Sequence, residues 1–515
     1  MDRRAFLVIS ISTITALSVS GCPWIRRRDP VPNIPDSLPV IDVHSHVFNA
    51  ADLPIKGFIE YVALSNFNPD GLKTFAAILV NAIGNFAPGY EQEKNRLDIL
   101  LGSKLTKTVE RAWEGEDEDR INAYKNRINE QINKLVVNEK DGRVLSDEKL
   151  FLNSLRQELG NGTKGLKDRD WYAESKAGIG QIARYIVWGG KLLRYRYQQV
   201  MDICQYYPRV DLFTPAIIDF DYWLDDKGKT EINAYLYQAR VSVGQQMVLM
   251  QLINKWSKGL VRPYVAYDPL RDVINNKQSF DWVKNAIATQ GAIGVKLYPP
   301  MGFVPLGNNE LKFCHSNVQG LGQKLDEALL QLYKYCESKQ IPIMAHYANS
   351  NINGRCEEYK TRAQSEGWAR VLKECPDLHL NLGHFATHDL ANNHWRDAVR
   401  TLMINCKHVY ADISHVEELE DPVKVDEFFN ALIVWLDAVP GKRELLLKRL
   451  MYGSDWIMVA KEKIGKDYYR RLVGKYGDYI GENARNEFVG PNAARFLGVI
   501  VVPRRSQTNC KLAVS

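Results

Sequence analysis

The chain is 515 residues long, 45% hydrophobic and 25% charged, a composition that excludes a disordered or fibrous protein. Its formal charge of +6 is small for that length, and no basic stripe interleaved with aromatics points to a nucleic-acid partner. The length fits two or three domains, or one α/β barrel enlarged by insertions.

The N-terminus reads as a targeting segment. Arg3 and Arg4 precede an apolar run from Ala5 to Val19, too short to span a bilayer comfortably. The run closes on Val19-Ser20-Gly21-Cys22, which resembles a bacterial lipobox whose cysteine is lipidated. The Arg-Arg string resembles a twin-arginine signal. Residues 1–22 are therefore expected to be a lipoprotein-type signal peptide, and the protein to be exported and membrane-anchored through Cys22 in a bacterial cell envelope. An uncleaved anchor helix is the competing reading. Residues 23–38, with four prolines and Arg26-Arg27-Arg28, read as a tether. Eight cysteines less Cys22 leave seven, without CxxC spacing, which argues against a disulfide framework or zinc ribbon. An isolated pair such as Cys314 with Cys356 stays open.

The first expected strand, 39–46, contains Ile41-Asp42-Val43-His44-Ser45-His46. Side chains alternate on a strand, so Asp42, His44 and His46 share one side. Two imidazoles about 7 Å apart along a strand can bind one metal ion at its end, although an isolated pair can equally be two ordinary histidines. Residues 61–209 then lack strand character. Apolar residues at helical spacing (Leu97, Leu100, Leu101, Leu105, then Ile121, Ile128, Ile132, Leu135) predict amphipathic helices across 91–160, and 181–206 predicts another.

From residue 210 the pattern becomes a regular alternation. Strands are expected at 212–220, 262–267, 292–298, 341–346, 378–384, 408–413 and 449–454. Helical sequence falls at about 232–257, 279–289, 321–338, 364–374, 391–404, 424–437 and 483–497. With 39–46 this makes eight strands, each followed by helical sequence, which predicts an α/β fold: a (β/α)8 TIM-like barrel over 39–60 and 210–498. The helical insertion lies between strands 1 and 2, and 499–515 form a C-terminal tail.

In such a barrel the chemistry sits where the strands end. There the sequence places His44 and His46 on strand 1, Lys296 on strand 4, His346 on strand 5, His384 on strand 6 and Asp455 on strand 8. Each alone is weak, but together they suit one metal site. His415, after strand 7, is the one other histidine near a strand end. Arg271, after strand 3, could pair a substrate carboxylate.

These residues resemble the amidohydrolase superfamily, in its amidohydrolase-related branch, which also contains nonoxidative decarboxylases. Supporting marks are Val295-Lys296-Leu297-Tyr298-Pro299, Tyr452-Gly453-Ser454-Asp455-Trp456 and Gly490-Pro491-Asn492. The resemblance covers about 40–60 and 210–498. It implies one divalent metal held by His44, His46, His346 and Asp455, with Asp455, His384 and Lys296 in catalytic roles. Imidazole and carboxylate suit Zn²⁺ first, with Mn²⁺ or Fe²⁺ as alternatives. A second metal is implied if Lys296 carries a bridging carbamate. The expected function is a hydrolase using a metal-activated water on an amide, ester or lactone carbonyl of a small molecule. A decarboxylase on the same site and a non-catalytic binding lipoprotein are the alternatives. Sequence says nothing of oligomeric state.

Overall fold

The computed structural model describes residues 32–58, 83, 86–102, 106–137, 188–224, 239–313, 318–348, 356–386, 393–462 and 464–503. The signal peptide and Cys22, Cys314, residues 138–187 of the insertion and the last twelve residues of the tail lie outside them. No described helix is long and apolar enough to cross a membrane.

Eight strands form, each inside a stretch where the apolar runs predict one: β1 (Ile41–Ser45), β2 (Leu212–Pro215), β3 (Tyr264–Ala266), β4 (Gly294–Leu297), β5 (Ile343–His346), β6 (Leu380–Gly383), β7 (Val409–Ile413) and β8 (Leu450–Tyr452). Every residue in them is buried, as parallel strands covered on both faces require. β1 pairs with β2, and β3 to β8 pair in chain order, all parallel. Isolated parallel bridges at Phe213–Val261 and Ala216–Tyr264 carry β2 to β3. The backbone after β8 returns to β1, with Ser454 and Asp455 N–H both donating to the His44 carbonyl at 3.0 and 2.7 Å. The order thus runs once round, as in a (β/α)8 barrel.

The crossovers are helical, and the helices after β8 differ from the sequence reading. The expected helix over 483–497 is two, Glu482–Phe488 and Pro491–Leu497. A β-carbon on Gly490 would fall 1.8 Å from the Pro39 carbonyl oxygen, so only glycine fits, and Pro491 starts the second helix. The helix Tyr468–Ile480 was not expected. Gly474 and Gly477 weaken its propensity, but Tyr468, Leu472, Val473 and Tyr476 bury one face and outweigh that. The last helix also packs against the strands, with Phe496 5.4 Å from Tyr410, ring to ring. Together with Met344, Met451 and Tyr264 these side chains form an apolar cluster. Met344 lies two residues before His346, and Tyr410 two before Asp412, so the cluster underlies the groups at the strand ends.

The described insertion is helical as expected, with Tyr90–Gly102, Lys107–Val137 and Arg196–Tyr206. A buried ionic cluster joins it to the loop after β1. Arg196 bonds both Asp52 and Glu93. Asn49 Nδ2 donates to Glu93 at 2.8 Å, and Asn49 N–H to Asp52 at 2.9 Å. Residues 33–38, within the expected tether, lie against the barrel: Ile34 is buried, and Arg209 donates to the Pro35 and Leu38 carbonyls. Cys356 is disulfide-bonded, while Cys336, Cys375 and Cys406 are free thiols.

Candidate metal centre

β1 delivers its histidines already oriented. His46 Nδ1 lies 3.0 Å from the Ala216 carbonyl, which can only accept, so Nδ1 carries the hydrogen and Nε2 the lone pair. His44 Nδ1 lies 3.1 Å from both carboxylate oxygens of Asp412, again acceptors. Its Nε2 meets Lys296 Nζ at 3.1 Å. Burial lowers the Lys296 amine to about 8, partly offset by Asp412 and Asp455. It is therefore largely protonated at neutral pH, with only hydrogens to offer, and His44 Nε2 accepts.

Both Nε2 lone pairs face Asp455, whose Oδ1 stands 3.3 Å from His46 Nε2 and 3.8 Å from His44 Nε2. The ligand atoms of His44, His46 and Asp455 all lie within 4.8 Å of one another, and all three residues are buried. Burial lowers the His46 imidazole, which keeps it neutral. Burial alone would raise the Asp455 carboxyl, but the hydrogen bond from His415 opposes it, and the group is held well below the carboxylate range. A lone pair facing a carboxylate oxygen at 3.3 Å calls for a cation between them. Ligands about 2.0–2.1 Å from a tetrahedral ion stand roughly 3.3 Å apart, so the group fits a divalent metal.

His346, from β5, is buried beside this group but not within that set. Its ring stacks 4.4 Å from Tyr298 and lies 4.6 Å from His384. His384, after β6, stands 4.5 Å from His44, and burial, then His44, pushes its imidazole well below the usual value. The sequence-derived site residues are therefore gathered at one end of the strands. Arg271 is not with them. Its guanidinium is buried in a two-pronged pair with Asp219 at 2.6 and 2.7 Å and contacts Asp221 at 2.8 Å, so it is a structural ion pair.

Sequence reasoning missed Asp412 and gave no role to the other groups that hold the ligands, His415 and Asp42. Asp412 on β7 binds His44, and also takes Asn381 Nδ2 at 2.7 Å and Ser414 Oγ at 2.6 Å. His415 Nδ1 donates to Asp455 Oδ2 at 2.6 Å, leaving Oδ1 for the metal side. Asp42 accepts from Ser454 N–H at 2.9 Å and Ser454 Oγ at 2.5 Å, which pins β1 to the segment carrying Asp455. Such partners commonly fix the orientation of metal-bound histidines. A signal for Asp412 was present: an acid inside a buried strand needs a reason. Glycines make the room, since a β-carbon on Gly453 would sit 2.8 Å from His44 Cβ, and one on Gly383 3.0 Å from its ring. Among the described residues eight non-glycines have positive φ, and His384, Phe385, His415 and Asp455 are four of them. Such strained backbone clusters at functional sites.

A buried pair of neutral imidazoles converging on a carboxylate at the strand ends of an α/β barrel defines a metal-dependent enzyme class. The amidohydrolase family model matches residues 272–499. No curated protein matches. Among solved structures, the chain is similar to an amidohydrolase from Burkholderia multivorans with bound zinc, at 13% identity and TM-score 0.39, covering 61% of this chain and 92% of that one. It is also similar to a probable 2-pyrone-4,6-dicarboxylic acid hydrolase from Acinetobacter baumannii, at 12% identity and TM-score 0.35, covering 59% and 88%. A third is a 5-carboxyvanillate decarboxylase from Novosphingobium aromaticivorans with bound manganese, at 12% identity and TM-score 0.37, covering 68% and 93%.

Proposed function

We propose that the protein is a metal-dependent hydrolase that cleaves an amide, ester or lactone bond of a small molecule. The observation that carries this is the convergence of His44 Nε2, His46 Nε2 and Asp455 Oδ1, each fixed from its far side by Asp412, Ala216 and His415. His44, His46 and Asp455 would hold one divalent ion, Zn²⁺ or Mn²⁺, with His346 beside them. When bound, such an ion supplies a Lewis acid for a substrate oxygen and acidifies a water. Asp455 is ionised and buried, so it takes a proton from the attacking water and passes it to the leaving group. His384, a neutral ring beside His44, binds the substrate at its reacting end. Lys296 is a buried cation at the same place and binds a substrate carboxylate or developing negative charge.

That cation favours a second reading, a decarboxylase acting on a carboxylic acid. Product analysis separates the two on a panel of esters, lactones, amides and aromatic acids. Hydrolysis in ¹⁸O-labelled water puts one label into the product without release of CO₂. Release of CO₂ without label transfers the site to the lyase, and turnover that survives complete chelation removes the metal from the account.

Lys296 decides the metal count. The His44 lone pair it contacts is the one a metal would use, so both cannot hold it at once, and Lys296 serves the substrate once the ion is in place. Lys296→Ala should keep one metal per chain and lose turnover. Two metals in the wild type, one lost in the variant and restored by short carboxylic acids, would give Lys296 to a bridging carbamate instead.

Export and anchoring through Cys22 are proposed on the Val19-Ser20-Gly21-Cys22 ending. Cys22→Ser should move the protein out of the membrane fraction. Unchanged fractionation contradicts the anchor.

A further inference from the structure

Ser414 lies just beyond β7, fully buried, between two histidines and a carboxylate. Its Oγ stands 2.6 Å from Asp412 Oδ1, 2.9 Å from His384 Nδ1 and 3.2 Å from His44 Nδ1. Asp412 accepts on both oxygens, from the His384 N–H at 3.1 Å and from Asn381 Nδ2 at 2.7 Å, with His44 Nδ1 3.1 Å from each, the bonding pattern of an ionised carboxylate. An ionised carboxylate has only lone pairs, so the single hydroxyl proton of Ser414 goes to Asp412, its shortest contact. Toward His384, Ser414 Oγ can therefore only accept. His384 Nδ1 must carry a hydrogen to make the 2.9 Å contact. In the neutral ring the other nitrogen, Nε2, then carries the lone pair.

The same carboxylate fixes the backbone. His384 N–H donates to Asp412 Oδ1 at 3.1 Å, and His384 sits at φ 67, a left-handed conformation that a non-glycine residue keeps only when its surroundings hold it. Asp412 thus sets the turn that places the ring, and through Ser414 it sets which nitrogen bears the proton.

We propose that Ser414 is a positioning residue that holds resting His384 in the Nδ1–H tautomer, so that His384 meets the substrate as a proton acceptor through Nε2. His384 then delivers a proton only after it has taken one from a substrate O–H or N–H, or from water. The catalytic meaning of this rests on the hydrolase reading, whereas the tautomer rests on hydrogen bonds alone.

The test is ¹⁵N NMR on the full chain, zinc-loaded and labelled at histidine, with the His384 signals assigned by their loss in His384→Gln. The expected spectrum has a protonated Nδ1 and an unprotonated Nε2 at His384. In Ser414→Ala the proton should redistribute toward Nε2, while Ser414→Thr, which keeps the hydroxyl, should restore the wild-type pattern. Metal content is measured on the same samples. A wild-type spectrum with the proton on Nε2 or on both nitrogens overturns the proposal, as does a Ser414→Ala spectrum unchanged from wild type. Failure to hold zinc with the expected tautomer intact would count against the metal centre and leave the role of Ser414 standing.

Discussion

Asp455→Asn should lose turnover by roughly 10²–10⁴-fold, the usual worth of a positioned general acid–base group. The reason is local. His415 Nδ1 donates to Asp455 Oδ2 at 2.6 Å, so an asparagine must turn its carbonyl oxygen there and its NH₂ toward His46. That side of the residue then has no lone pair with which to take a proton from water. Two imidazoles remain, so the variant should keep more metal than one lacking His44. Steady-state kinetics on the metal-loaded protein check this, and near-normal turnover would remove Asp455 as the base.

Arg196→Ala should destabilise the fold by about 3–5 kcal/mol, the typical cost of leaving a buried charge without its partner. Asp52 and Glu93, both fully buried, share this guanidinium. Burial raises both carboxyls, and the Arg196 charge works against that rise. Removing it strands two acids beside the loop that carries Phe48, whose ring stands 6.2 Å from His46. Replacing Arg196, Asp52 and Glu93 together by apolar residues of similar volume should cost far less. Urea unfolding of both variants measures the difference, and an Arg196→Ala shift below about 1 kcal/mol would show that the cluster does not tie the insertion to the barrel.

The barrel was legible because its strands are buried on both faces and therefore spell continuous apolar runs. The candidate site residues were legible because strand ends are where such barrels keep reactive groups, so His44, His46, His346, His384 and Asp455 could be picked out one strand at a time. What stayed hidden depends on pairing across the sequence. Arg196 and Glu93 are 103 residues apart, and nothing in either neighbourhood names the other. Asp412 holds His44 from 368 residues away, and it reads locally as one polar residue in Val409–Ile413. His415 showed as a histidine after a strand, but its hydrogen bond to Asp455 joins two residues with left-handed backbone 40 positions apart, which no periodicity reports. The split at Gly490 is similar, because the carbonyl that forbids a side chain there belongs to Pro39.

The most direct measurement is metal analysis of the purified wild-type protein beside His44→Ala and His46→Ala, with circular dichroism on each. The two Nε2 lone pairs facing Asp455 predict one divalent ion per wild-type chain. They also predict a content well below that in both variants, with the fold retained. Full metal content in either variant, or a wild-type chain that takes up no divalent ion at all, would contradict the site.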